Sequence, residues 1–409
     1  MFINKKSFFF SFFVVLYFFL IINNRETISS KKALSDFYYL IESIEENFPG
    51  NYHINITKKN KLERSREEIT KKLLKKENVD IYYFYKYVDD YLCIYNSSNG
   101  PLGHLYLLRT EDLQSLKDIR NIIPSYAWDD TISKKTFDTY QYISKREKNL
   151  NIEYLKNKEV DNNIEIVENN NHIIITIKSF DHRLKNKDFK KLQKFFKEKN
   201  SNKDVIIDIS NCTGGSDYYW VDNFIIPNMY PKKEIFSSKK RALFLDGNLV
   251  QPYLDFFKKS SDYKVKEINE SNLKNIGNLK NFKYLVEMTK GDTIINTKYK
   301  DKMLKSNIYV YYGYNTSSAA EDFIEFLKFN KMAKLCGTKS KGNSPFVQPV
   351  FLKLPNSNLV IRFQVDYRIN ENNEVMWENG IEPDIYVNNI YELEKFIEKE
   401  RNEWKSTKL

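Results

Sequence analysis

Ile308-Tyr309-Val310-Tyr311-Tyr312, followed by Asn315-Thr316-Ser317-Ser318-Ala319-Ala320-Glu321-Asp322-Phe323, is the stretch on which the fold of this 409-residue chain turns. The apolar run has the character of a buried strand, and the small residues from Ser317 to Ala320 permit a sharp bend into a helix expected from Ser318 to about Asn330. Such a bend sets the Ser318 hydroxyl at the positive end of a helix dipole. The next amide, that of Ala319, can then face a developing oxyanion. The plainer reading is a helix N-cap, since Ser and Thr cap helices in any protein.

About 100 residues earlier, Lys203-Asp204-Val205-Ile206-Ile207-Asp208-Ile209 reads as a second short strand, ending in Ser210-Asn211-Cys212-Thr213-Gly214-Gly215-Ser216. Paired glycines after a strand let backbone amides come close to a ligand. Together the two turns resemble the tail-specific, or C-terminal processing, serine peptidase family, with its Asp-Leu-Arg-x-Asn-x-Gly-Gly turn and its Ser-Ala-x-Glu nucleophile turn. The resemblance extends to Trp377-Glu378-Asn379-Gly380-Ile381-Glu382-Pro383-Asp384, similar to the family's closing Gly-Ile/Val-x-Pro-Asp signature, and to Ile174 to Phe180, similar to its first core strand. It spans roughly residues 35 to 390.

The resemblance implies an α/β fold, a crotonase/Clp-protease-like layered core with an N-terminal helical bundle, and acyl transfer as its chemistry. Ser318 would be the nucleophile, and amides of Gly214, Gly215 and Ala319 would hold the oxyanion. One branch of the family uses a lysine base from a Gly-Lys-Thr-x-Gly-Lys-Gly segment. Here Gly337-Thr338-Lys339-Ser340-Lys341-Gly342-Asn343-Ser344 matches that segment, but Asn343 occupies the lysine position, which leaves Lys341 as the alternative base. A second branch, similar to the tricorn core protease and the interphotoreceptor retinoid-binding protein, takes a His from a turn near the N-terminal helices and a Glu near the Pro-Asp motif. In this chain those positions are His104 and Glu378, the latter orienting the base. Two departures accompany them: Leu102 stands for the usual Asp, and Gly103 for the serine that links His to Glu in the tricorn type.

Of the four histidines, His53, His172 and His182 lie in polar surroundings and read as surface residues, whereas His104 sits in a turn feeding a strand. Glu321 and Glu382 read as structural, the first closing a helix turn and the second pairing with a local cation. Cys93, Cys212 and Cys336, odd in number and irregular in spacing, indicate neither a disulfide framework nor a metal site, and no cofactor is implied. The net charge of +11 is spread over pairs such as Lys71-Lys72 and Lys239-Lys240 with acids between them, and no nucleic-acid motif accompanies it.

At the N-terminus, Lys5-Lys6 precede the apolar run Ser7 to Ile22, which is the plan of a secretory signal. Sixteen residues reach only ~24 Å as a helix, short of a ~30 Å hydrocarbon core, so residues 1–24 are a cleaved signal peptide or an uncleaved membrane anchor. Either leaves the rest of the chain outside the cytoplasm, in the periplasm, the extracellular space or facing outward from a membrane. Asn211 and Asn315 begin glycosylation-type triplets inside both turns, which favours a bacterial export route over a eukaryotic one.

Helical periodicity at Leu34, Phe37, Leu40, Ile41 and Ile44 predicts an N-terminal bundle over 30–95, and 96–170 reads as a mixed connecting region too short for a PDZ module. From 171 to 409 strands and helices alternate: strands 172–178, 204–209, 282–288 and 307–313, helices 186–199, 217–226 and 318–330, a hairpin about Pro355-Asn356-Ser357-Asn358, and a terminal helix 390–404. The function this implies is that of an exported serine endopeptidase acting on peptides or unfolded protein tails. Two alternatives stay open: a catalytically inactive relative that binds a peptide or an apolar ligand, and a membrane-attached interaction protein whose turns are ordinary caps. Nothing in the chain indicates its oligomeric state.

Overall fold

The computed structural model describes residues 26–96, 101–110, 112–113, 133–150, 162–199, 203–230, 232–268, 281–300, 303–304, 306–370 and 372–406. The expected export segment lies outside them. Among the described residues no helix is long and apolar enough to cross a membrane.

Six strands make the central sheet, in the order Ile385–Tyr386, Lys334–Gly337, Ile308–Tyr312, Asp204–Asp208, His172–Ile177, Ile164–Glu168. Neighbours run parallel except the last pair, which is antiparallel. The period-2 alternation of Asp204–Asp208 supplies two cores at once. Val205 and Ile207 pack with Phe323, Ile324 and Leu327 of the helix Ala319–Asn330, while Ile206 packs with Tyr309, Cys336, Leu393 and Ile397 on the opposite face. The sheet is thus sandwiched between helices, and its central strands turn apolar side chains toward both helical layers.

This topology decides where a site can form. Four of the five parallel strands end side by side here, so the segments that follow them, Ser179-Phe180, Asn211–Ser216, Gly313–Ser318 and Thr338–Ser344, gather at one edge of the sheet. Crevices outside the carboxyl ends of parallel strands are where open α/β sheets bind ligands.

A four-stranded antiparallel sheet, in the order Asp366–Ile369, Arg241–Phe244, Tyr284–Met288, Tyr263–Glu267, forms the second layer. A smaller sheet pairs the hairpin Val350–Lys353 and Val360–Phe363 with Tyr106–Leu107. Both share one core with the N-terminal helices Ser30–Asn47, Ile56–Leu74 and Ile81–Cys93. The three helices are capped by the side chains of Ser29, Asn55 and Asp80, which accept from the amides of Lys32, Lys58 and Tyr82.

Three elements differ from the sequence expectation. The strand Ile164–Glu168, inside the stretch read as connecting sequence, joins the central sheet through its pairing with His172–Ile177. The helix Lys134–Leu150 from the same stretch packs on the N-terminal helices, with Tyr140 edge-on to Tyr85. The helix expected over 217–226 is regular only from Asp217 to Trp220, then widens and tightens before Pro227, which has no amide to continue it.

Candidate active site

Ser318 joins the strand Ile308–Tyr312 to the helix Ala319–Asn330 with φ 57° and ψ −131°. An ordinary Ser cap has extended dihedrals and accepts a bond from an amide of the first turn. Ser318 does neither: its side chain makes no cap hydrogen bond, and a residue bearing a Cβ is held at positive φ at a cost of ~1–3 kcal/mol.

Main-chain stitching holds this conformation. Thr316, fully buried, donates from Oγ1 to Ile209 O at 2.9 Å and accepts from Gly313 N at 3.2 Å, while its carbonyl accepts from Lys341 N at 3.0 Å. Ser317 donates to Thr213 O from its hydroxyl and to Cys212 O from its amide, and Asn315 Nδ2 donates to Asn211 Oδ1 at 3.1 Å. One buried threonine therefore ties together three strand ends that are distant in sequence. Thr316→Val, which keeps the shape and removes the hydroxyl, is expected to destabilise the fold by ~1–3 kcal/mol. Thr316→Ser should keep most of that stability, and denaturant midpoints of the two variants decide.

The glycine turn lies against this bend. A Cβ on Gly214, whose φ is 96°, would sit 2.7 Å from Ser317 O, 2.8 Å from Ser318 Cβ and 2.9 Å from Ala319 N. Only glycine lets the two backbones approach so closely. Gly215 faces the other way, against Phe180, whose amide donates to Gly214 O and whose carbonyl accepts from Ser216 N, both at 2.9 Å. The turn's thiol, Cys212, is fully buried, and burial pushes it up to about 12, which leaves it a poor nucleophile.

Glu321 departs from its expected role. Its buried carboxylate turns away from its own helix to accept from Ser340 Oγ, from Gly342 N at 2.6 Å and from Asn343 N at 2.7 Å, clamping the loop Thr338–Ser344 to the first helical turn. Burial pushes Glu321 up to about 7 against these three donors. Glu382 pairs with Lys339 at 3.3 Å, as expected of a residue with a local cation.

The same loop receives His104. Its Nε2 lies 3.2 Å from Asn343 O. A carbonyl can only accept, so Nε2 carries the proton and Nδ1 the lone pair. Burial first, then the Arg362 and Lys341 cations, push the imidazole down to about 3, with the Asn343 carbonyl working in the opposite direction. The ring is neutral at pH 7. Gly103 (φ 50°) explains why no serine precedes it: a Cβ there would lie 2.5 Å from the Trp377 indole and 2.8 Å from the Phe48 ring. Glu378 follows that tryptophan in the short helix Met376–Asn379, and its side chain lies outside the described residues. Lys341 is half-buried and its ammonium is pushed down by burial, with Glu321 opposing.

The fold thus draws Ser318, Ala319 and Gly214 into contact and ties both candidate bases to one loop. His172 is a correction, because it is buried on its strand with Nε2 2.7 Å from Glu394 Oε1. A strand in a sheet covered on both faces buries polar positions too. His53 is bonded to Tyr367 through Nδ1 at 2.8 Å, and His182 is half-buried, its Nδ1 3.5 Å from Ser216 Oγ. The roles of Thr316 and Asn343 carried no sequence signal, since both act through long-range backbone contacts.

No curated protein matches the chain closely enough to count as a relative. Among solved structures, the chain is similar to a lipoprotein from Streptococcus agalactiae, at 16% identity over 91% of this chain and 97% of that one, with a TM-score of 0.46. It is also similar to mature CPAF, at 13% identity over 87% and 92% of the two chains, with a TM-score of 0.44. The sequence pattern of Peptidase family S41 matches residues 172–387, just over half of the chain, and the chain belongs to that family.

Proposed function

We propose that this protein is an exported serine endopeptidase that hydrolyses peptide bonds in peptides or unfolded protein tails, with Ser318 as nucleophile and His104 as general base. The family supports a serine peptidase. The observation that carries the assignment of the nucleophile is the Ser318 hydroxyl itself, uncommitted to capping at the positive end of a helix whose first amide nitrogen lies close beside Gly214.

In this reading the lone pair on His104 takes the Ser318 proton, and the alkoxide attacks the peptide carbonyl. Amides of Ala319 and of Gly214 or Gly215 stabilise the oxyanion; each such donor is worth ~3 kcal/mol in the transition state. The imidazolium then protonates the leaving amine, and water resolves the acyl-enzyme by the same path in reverse. Glu378 would favour the charged form of the base through its own negative charge, since the ring N–H is held by the Asn343 carbonyl. Export rests on Lys5-Lys6 and the apolar run Ser7 to Ile22, which act as a signal or an anchor and place the domain in the periplasm, outside the cell or on the outer side of a membrane. A second reading gives the proton to Lys341, supported by its lowered basicity and by the hydrogen bond its backbone N–H donates to Thr316 O, two residues before the nucleophile. The test is incubation of the chain with an unstructured peptide and with a serine-directed phosphonate. Cleavage, and an adduct mapped to Ser318, are expected; an unmodified Ser318 and an intact peptide would refute the reading and leave a binding scaffold.

The Glu321 clamp gives this activity a pH signature. All three of its partners are donors, so the ionised carboxylate completes the clamp, and kcat/KM is expected to rise as pH passes about 7. Stability runs the other way. The unfolded carboxyl ionises near 4.5 and the folded one near 7, so between those values the folded state keeps a proton the unfolded state has lost, and stability falls as pH rises. Glu321→Gln should remove the limb near pH 7 from the rate profile. Persistence of that limb in the variant would assign it to another group.

A further inference from the structure

A buried ionic cluster lies on the first turns of the helix Ala319–Asn330, at Asp322 and Glu325. Arg368, 2% exposed, comes from the edge strand Asp366–Ile369 of the second sheet, and Lys240 immediately precedes that strand's neighbour, Arg241–Phe244. Both cations grip acids on one face of the helix Ala319–Asn330. Arg368 Nη1 donates to Asp322 Oδ1 at 3.0 Å and Nη2 donates to Glu325, while Lys240 Nζ lies 2.6 Å from the same Asp322 oxygen. Residues 322 and 325 are one turn apart, which is the spacing that lets a single guanidinium fork span them.

Arg368 has a third contact that a purely structural ion pair does not need. It donates to Ser344 Oγ, and Ser344 in turn donates to Asp322 Oδ1 at 2.8 Å. Ser344 follows Asn343, whose carbonyl meets His104 Nε2. The same stretch of chain also holds the backbone of the residue before His104. Gln364 N donates to Gly103 O at 2.9 Å, and Gln364 Nε2 donates to Asp366 Oδ2 at 2.9 Å. Segment 364–368 therefore frames His104 from before and after, with one end on the residue preceding it and the other on the loop it is bonded to.

We infer that Arg368 is a positioning residue that, through Ser344 and Asn343, sets the His104 imidazole relative to the helix bearing Ser318, so that the second sheet governs the alignment of base and nucleophile. This rests on the serine-peptidase reading for its consequence in rate, though not for its consequence in the His104 ring. A displacement on the order of 1 Å between reacting groups costs about 10²-fold in rate. Arg368 and Ser344 are both buried away from solvent, so the effect is expected in kcat rather than KM.

The test uses the full chain with Arg368→Lys, which keeps the charge and loses the fork, and Ser344→Ala, which removes only the link to the loop and is expected to fold even if the arginine variant does not. Two measurements are made on each folded variant: kcat and KM for peptide hydrolysis, and the histidine ring NMR signals of His104, assigned by comparison with a His104→Gln control. The expected result is a roughly 10- to 100-fold lower kcat, an unchanged KM and a shifted His104 signal. Folded variants with the wild-type His104 signal and kcat would overturn the inference. A shifted His104 signal in a protein whose wild type neither cleaves peptide nor takes phosphonate would uphold the positioning role and sink the peptidase reading instead.

Discussion

Ser318→Ala is expected to lower peptide hydrolysis by roughly 10⁴- to 10⁶-fold and to abolish labelling by serine-directed phosphonates, with little change in KM. The size of the effect follows from the work assigned to a single atom, because no second nucleophile stands at the bend. The Cys212 thiol is buried and held protonated, and the Ser317 hydroxyl is bonded to Thr213 O. The fold should survive the change, since the Ser318 side chain makes no cap bond whose loss would weaken the helix, and alanine meets the same strain at φ 57°. Comparison of thermal midpoints checks this. Turnover undiminished in the alanine variant would rule out acyl transfer through this residue.

His104→Gln is expected to cost roughly 10⁴-fold in kcat, because nucleophile and base act as a unit and removing either disables both. Glutamine retains an N–H donor for the Asn343 carbonyl, so the loop contact is preserved and the loss falls on proton transfer. Lys341→Met, measured beside it, should leave most of the rate. The reverse pattern would move the base to Lys341. An acid limb owned by His104 belongs near pH 3, well separated from the limb near pH 7 expected of Glu321. Linkage supplies an independent check. The folded imidazole sits below its ordinary value of 6.5, so as pH falls from 6.5 toward 3 the unfolded chain takes up a proton that the folded chain refuses, and stability declines. The glutamine variant should lose that part of the acid sensitivity.

The strain at Ser318 and the narrow space around Gly214 and Gly103 are features of one design. Each glycine admits another element into contact: Gly214 the Ser318 bend, Gly103 the Trp377 indole that carries the chain on to Glu378. The clamp by Glu321 and the cluster at Asp322 flank the same first helical turn, so the helix that follows Ser318 is also what holds the loop meeting His104. Such a supporting shell is what keeps a catalytic constellation within a fraction of an ångström of its working geometry.

From residues alone, the strands 204–209 and 307–313, the helix after Ser318 and the hairpin about Pro355 were legible, because each depends on local periodicity and turn chemistry. The order of the two turns was enough for the family. What only the tertiary structure decided is which distant groups meet. Parallel pairing of Ile308–Tyr312 with Asp204–Asp208 set the two turns side by side across about 100 residues, and no local pattern encodes a neighbour in that register. In the sequence Glu321 reads as a helix-turn acid and His172 as a surface residue, and Thr316 and Arg368 carry no reading of their own. Their partners come from other sheets and loops, and burial reveals itself only once layers have closed over them.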